Sequence, residues 1–509
     1  MQLVALTTLF SLALATAPNI QLKTTDCIVI VGGGPAGVHY ASLLAKKGFK
    51  KITLLEASGA VGGKSLTLTD DQNTAQDMGT ILALETYTPI FDLANEYDPT
   101  NTKVPTLLSS PGYMNFMGES TGAQDTNPSM HLDFPHYLMR NILLSAPPSV
   151  QANPNATQLN NLFMEQAGRY LALHRSIFGS YPYGMPPPPK DWRLIDMTAI
   201  EFLRANNLTA LIGLFRFTQQ TQGYGVLETI PAFYFLWWSH PVAVTKILQG
   251  QVAGTPTAYM FKNGFQSIWQ AIAKAHRNAV KTIVGAKVTR VSRGLKSGLK
   301  PSVTYTKGTS DLTIECDHIV MAVDLSVYAS VVDDLTDNEK ALFTTSYTAS
   351  AYITTLFEST PSPAEAAILV WHYRMLQGGR VNVLRNSKLM TSYNGSVASW
   401  GDLTRACQTR VAYQFYDRPL SQVDQRATAA SLWSDFRLAG LEDVGLYTTR
   451  PFNYFPRFTA EGLKAGLPWK IWDVQGQQHT TWVGSSVSFE SVLDVVTYNN
   501  NLIQRLQIV

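Results

Sequence analysis

The sequence predicts an α/β fold in two parts, and three observations carry that reading. A short apolar run, Cys27–Val31, passes directly into Gly32-Gly33-Gly34-Pro35-Ala36-Gly37 and then into a helical stretch over 38–47. A second apolar run, Lys51–Glu56, follows and ends on an acid. Strand-like runs return at 283–291 and 313–324, and again at 481–486 ahead of a closing helix over 489–506. This spread predicts one α/β domain built from discontinuous segments, with the intervening sequence forming an α+β domain.

Each element of the first unit has a physical task. Cys27–Val31 lacks polar alternation, as a parallel strand buried on both faces does. Gly32 permits the tight turn out of the strand, Gly34 lets the backbone approach a pyrophosphate, and Gly37 lets the helix pack against the sheet. Pro35 and Ala36 open the helix, whose N-terminus offers free N–H groups and the positive end of its dipole to an anion. Ala41, Leu44 and Ala45 supply an inner face, and Gly48 suits the C-terminal cap. Glu56 lies about 20 residues further on, where an acid binds ribose hydroxyls and disfavours a 2′-phosphate, which argues against NADP. A glycine turn alone is weak evidence. Strand, glycines, helix, second strand and acid in that order give the context of a Rossmann-type dinucleotide site.

The residues after Glu56 choose the cofactor. Glu56-Ala57-Ser58-Gly59-Ala60-Val61-Gly62-Gly63-Lys64-Ser65 adds a second glycine cluster that an NAD site does not need. At this point the chain resembles the flavin-containing amine oxidase superfamily, whose members continue from the acid into a Gly-Gly-Arg segment that wraps FAD. Lys64 stands where that arginine is usual. The resemblance implies FAD as cofactor, with Gly63 and Lys64 beside it. It also implies that Asp77-Met78-Gly79-Thr80 lies beside the isoalloxazine ring and that Val288 contacts the adenine through its backbone. Thr481-Trp482-Val483-Gly484-Ser485-Ser486 resembles the family's last strand and glycine turn, which place Gly484 and Ser485 near the flavin and ribityl chain. A Gly-Glu or Gly-Asp pair is common there, so Ser485 is a departure. A Tyr-Gly-Tyr-Gly-like segment, the Gly-Gly-Lys run and the terminal Ser-Phe-Glu-Ser-Val resemble a narrower branch, that of fungal beta-cyclopiazonate dehydrogenase and the FAD-dependent polyenoic fatty acid isomerases.

Composition bounds the rest. The 509 residues are 45% hydrophobic and 15% charged, which suits a large apolar core. A net charge of +3 without a basic run excludes nucleic acid as a partner. The three cysteines form no disulfide framework, and neither they nor the nine histidines have metal-ligand spacing. Residues 1–15 read as a signal peptide cut after Ala15, which predicts a secreted chain. Asn155-Ala156-Thr157, Asn207-Leu208-Thr209 and Asn394-Gly395-Ser396 are glycosylation sequons in keeping with export. No other run reaches the roughly 18 apolar residues of a membrane span.

The predicted FAD-binding domain takes residues 26–100, 250–330 and 450–509, and the substrate domain takes 101–249 and 331–449. The substrate half holds no catalytic motif. Its proline-rich stretch over 182–189 predicts a rigid loop, and the aromatic run over 230–238 predicts either a buried element or the apolar wall of a pocket. Tyr454-Phe455-Pro456-Arg457 reads equally as a flavin-facing or a solvent-facing strand. Lys64 has three open roles: flavin electronics, a phosphate, or the surface. No catalytic base can be named.

The expected function is a FAD-dependent oxidoreductase that takes hydride from a largely apolar or amine small molecule and passes electrons to oxygen or another acceptor. The alternatives are a polyunsaturated fatty acid double-bond isomerase, which consumes no net oxidant, and a non-catalytic flavin-binding protein.

Overall fold

The computed structural model describes residues 20–108, 110, 112–118, 131–295, 298–392 and 407–509. The signal-peptide stretch 1–15 and the Asn394 sequon lie outside the described residues.

A five-stranded sheet organises the nucleotide-binding half. Its strands are β1 (Cys27–Val31), β2 (Lys51–Glu56), β3 (Val280–Val284), β4 (His318–Met321) and β5 (Thr480–Trp482). They run parallel in the order β3-β2-β1-β4-β5, with Ile28 opposite Ile52 and His318 opposite Ile28. The start, middle and end of the chain therefore meet side by side. Ile28, Val29, Ile30, Ile319, Val320 and Met321 are all fully buried, which is why these strands carry continuous apolar runs.

Helix α1 (Pro35–Lys46) begins three residues before the expected 38, because Pro35 has the fixed φ of a first helical residue and its missing N–H leaves no bond unmade. The closing helix α7 (Val492–Ile503) is shorter than the expected 489–506. Ser491 caps its N-terminus by accepting from Asp494 N, and the chain after it pairs as a short strand, Leu506–Ile508, with Ile20–Leu22. Asn499 on α7 donates to Ala36 O at 2.9 Å, so the last helix is locked onto the first.

The other half is built on a seven-stranded mixed sheet. Its order is Gly445–Phe458, Tyr347–Ser359, Gln408–Tyr416, Val381–Arg385, Ile368–Val370, Met114–Met117 and His131–Asp133. The long strand Gly445–Phe458 runs through position 450. Helices from 134–253 complete this half, among them α2 (Phe134–Leu144), α3 (Ile212–Gln220), α4 (Ala232–Trp238) and α5 (Pro241–Ala253). The aromatic run is the helix α4, and every one of its residues is buried. Helix α6 (Phe265–Ala275) follows the Asn263-Gly264 turn and returns the chain to the parallel sheet. No helix among the described residues is long and apolar enough to cross a membrane.

Candidate flavin and substrate site

The glycine turn is shaped by close approach. A Cβ on Gly37 would lie 2.0 Å from Gly32 O, and one on Gly32, at φ +108°, would lie 2.8 Å from Ala322 O. A Cβ on Gly63 would sit 2.9 Å from Gly34 Cα, so the two glycine clusters face each other backbone to backbone. Helix α1 has no side-chain cap at Gly34, which leaves its first N–H groups for a ligand. Glu56 accepts from Gly33 N at 2.8 Å and from Ser58 N at 2.7 Å, so its carboxylate sits at the edge of the turn, with Ala57 exposed beside it. Ala286 N donates to Glu56 O at 2.8 Å, which brings the strand containing Val288, Lys287–Ser292, to the same edge. An uncapped helix end, a side-chain-free cradle and a carboxylate one strand away fit the diphosphate and ribose of a dinucleotide.

The far end of the cradle is tied to Lys64. Thr80 N donates to Lys64 O at 3.0 Å, and a Cβ on Gly79 would lie 1.8 Å from the same oxygen. The Lys64 ammonium donates to both Glu490 oxygens at 2.9 Å and lies 3.5 Å from Ser485 Oγ. Gly484 at φ +108° turns β5 toward α1, where its Cβ would lie 3.3 Å from that of Ala36. Gly79, Gly63, Lys64, Gly484 and Ser485, far apart in sequence, thus form one continuous lining. Glu490 has no place among the residues expected from sequence, although it sits in the Ser-Phe-Glu-Ser-Val run. It also accepts from Phe455 N at 2.9 Å, and Phe455 holds φ +48°, a strained conformation for a bulky residue. Burial raises the Glu490 carboxyl, and Lys64 opposes that shift.

Beside this lining lies a cavity walled by Gly79, Thr80, Tyr352, Tyr413, Tyr454 and Glu490 among others. The Tyr352 ring stacks between Tyr413 at 5.6 Å and Tyr454 at 5.2 Å, both at 28°. Burial raises all three phenols, so they stay neutral hydrogen-bonding groups. Tyr454 and Phe455 are buried, which rules out the solvent-facing reading of that strand. Tyr352 and Tyr413 come from alternating strands that look like any sheet core, so no local signal marks them in the sequence. Asp77, behind Gly79, is fully buried, accepts from Thr67 Oγ1 and Phe265 N, and is pushed up to about 6 by desolvation.

A second cavity adjoins the first and shares Leu82 and Gln222 with it. Its other walls include Leu108, Phe134, Leu214, Phe217 and Trp238, so it is largely apolar, with Thr218, Ser239 and Thr257 as polar members. The turn between the two cavities is held by tyrosine hydroxyls: Tyr454 donates to Gln222 O at 3.2 Å and Tyr352 to Thr221 O at 3.5 Å. Among the described residues no cluster of three or more His, Cys, Asp or Glu side chains could hold a metal ion.

A nucleotide cradle on a discontinuous parallel sheet, opening onto an enclosed aromatic cavity, defines a flavoenzyme of the two-domain oxidoreductase type. The family model of flavin containing amine oxidoreductase matches residues 35–389, and the chain belongs to that family. It is a FAD-dependent oxidoreductase, and the reading of a non-catalytic flavin carrier is set aside. It is 23% identical to the polyenoic fatty acid isomerase of Ptilota filicina over 97% of this chain and 98% of that one. Its fold is similar to that of the CLA-producing fatty acid isomerase from P. acnes, with TM-score 0.69 and 19% identity over 95% of this chain and 99% of that one. Putrescine oxidase has a similar fold at TM-score 0.63 and 14% identity, over 95% and 99% of the two chains.

Proposed function

We propose that this chain is a FAD-dependent double-bond isomerase of polyunsaturated fatty acids. The single observation that carries the reading is the largely apolar cavity lined by Leu108, Phe134, Leu214 and Trp238, joined through Leu82 and Gln222 to the cavity lined by Tyr352, Tyr413 and Tyr454. An acyl chain buried in the first delivers an unsaturated segment to the second, and the apolar walls exclude water from it. FAD bound there would supply a reversible two-electron acceptor for hydride, so that no external oxidant would be consumed. We assign its pyrophosphate to Gly32, Gly34, Pro35, Ala36, Gly37 and Gly63, and its adenosine end to Glu56, Ala57 and Val288. Its ring end falls to Lys64, Gly79, Thr80, Gly484 and Ser485. The full-length likeness to a polyenoic fatty acid isomerase supports the substrate class.

The competing reading is oxidation of an amine with oxygen as acceptor, the substrate class named for putrescine oxidase. The cavity favours it less. Glu490 is the one charged side chain among its described lining residues, and Lys64 occupies both carboxylate oxygens, so an ammonium group finds no free anion.

The test is anaerobic incubation of purified holoenzyme with linoleate and arachidonate. Conjugated-diene absorbance without oxygen uptake is the expected outcome. No diene, together with oxygen consumption on primary amines, overturns the isomerase reading. We also propose that the chain is exported. The apolar start supports this, as do Asn155 and Asn207, which are both exposed.

A further inference from the structure

The Lys64–Glu490 pair sits in an otherwise uncharged cavity. Glu490 lines it together with tyrosines and aliphatic side chains, and its carboxylate is 4% exposed against 26% for the lysine side chain. The lysine is restrained from three sides. Both Glu490 oxygens lie at 2.9 Å, Ser485 Oγ lies at 3.5 Å, and the Tyr454 ring centroid lies 5.3 Å from the ammonium. Its own carbonyl is held by Thr80 N, so side chain and backbone are both fastened to the lining expected at the flavin ring. Asp324 is a further acid acting on Glu490.

Arrival of a hydride brings two electrons and one proton, and adds one negative charge to the bound cofactor. In a cavity walled off from water, the nearest fixed cation offsets that charge far more strongly than it would in solvent. We propose that Lys64 is the cation that sets the reduction potential of the bound flavin, and that Glu490 is a positioning residue that holds the ammonium in place and mutes its charge. This rests on the FAD placement given above, and not on the identity of the substrate.

The two halves of the pair make opposite predictions. Lys64→Gln removes the ammonium by the ring, so the midpoint potential falls. Affinity for sulfite, an anion that adds to oxidised flavin, weakens by about tenfold or more. Glu490→Gln leaves a lone ammonium, so the potential rises and sulfite binds tighter. Lys64→Arg keeps the charge and stays near wild type. Both readouts use the holoenzyme and need no substrate, so they stand or fall separately from the isomerase assay. A purely structural clamp on Phe455 would lower thermal stability in both variants and leave both potentials in place. Potentials that move in the same direction, or do not move, overturn the proposal. Loss of FAD from Lys64→Gln does so too, since it makes the pair a cofactor clamp.

Discussion

Replacing Gly37 by alanine adds one methyl group at the tightest point of the nucleotide turn. That Cβ would fall 2.0 Å from Gly32 O and 3.2 Å from Ala322 Cβ, where carbon and oxygen normally approach no closer than about 3.3 Å. The start of α1 must therefore retreat by about 1 Å, because both obstacles are backbone or a neighbouring methyl with nowhere to swing. Overpacking of this kind costs roughly 1–3 kcal/mol. Since the displaced atoms are the N–H groups assigned to the pyrophosphate, that range corresponds to about a 5- to 150-fold rise in the FAD dissociation constant. The assay is titration of apoprotein with FAD, followed by flavin fluorescence, beside thermal melts of the apoprotein. Gly59→Ala is the control: it lies in the loop after β2, nothing stands within 4 Å of its Cβ, and its affinity should match wild type. Wild-type FAD affinity and an unchanged Tm for Gly37→Ala would refute both the packing argument and the placement of the pyrophosphate.

Asp77 gives a pH-dependent prediction. Its folded pKa of about 6 lies above the ordinary 3.8, so the folded state binds the extra proton between those values. The contribution of this group to stability is therefore greatest below about pH 4 and is lost as pH rises through about 6, a change of about 3 kcal/mol for a shift of roughly two units. Asp77→Asn keeps both hydrogen bonds accepted by the side chain and removes the charge, so apoprotein melts should show it stabilised at pH 7 and level with wild type near pH 4. An advantage independent of pH would refute this. Leu214→Trp fills part of the apolar cavity and should raise KM for an 18-carbon polyunsaturated acid roughly tenfold, about 1.4 kcal/mol, with the flavin spectrum unchanged. Full-length chain made in a secretory host should reach the medium starting at Thr16, with glycosidase-sensitive mobility that is lost in an Asn155→Gln, Asn207→Gln, Asn394→Gln triple variant. Retention in cells with Met1 present would refute export.

The nucleotide half was legible because its chemistry is local. A tight turn, a close backbone approach and a helix start each demand a particular residue at a particular spacing, so Gly32, Gly34, Pro35, Gly37 and Glu56 announce themselves within 25 residues of chain. The fatty acid isomerase branch was visible only through short motifs. One of them contained Glu490 without revealing its role, since a glutamate in the first turn of the expected helix over 489–506 reads as a solvated residue.

The sequence by itself determined the parallel sheet, the cofactor class and the family, because continuous apolar strands and glycine turns are written in consecutive residues. Only the tertiary structure decided what surrounds the reacting atoms. Lys64 and Glu490 stand 426 positions apart, and Tyr352 and Tyr454 come from paired strands of a sheet with no distinguishing pattern. The two joined cavities are empty space bounded by side chains from four or more elements. Long-range contacts and enclosed volume have no local periodicity, so they exist as chemistry only once the chain has folded.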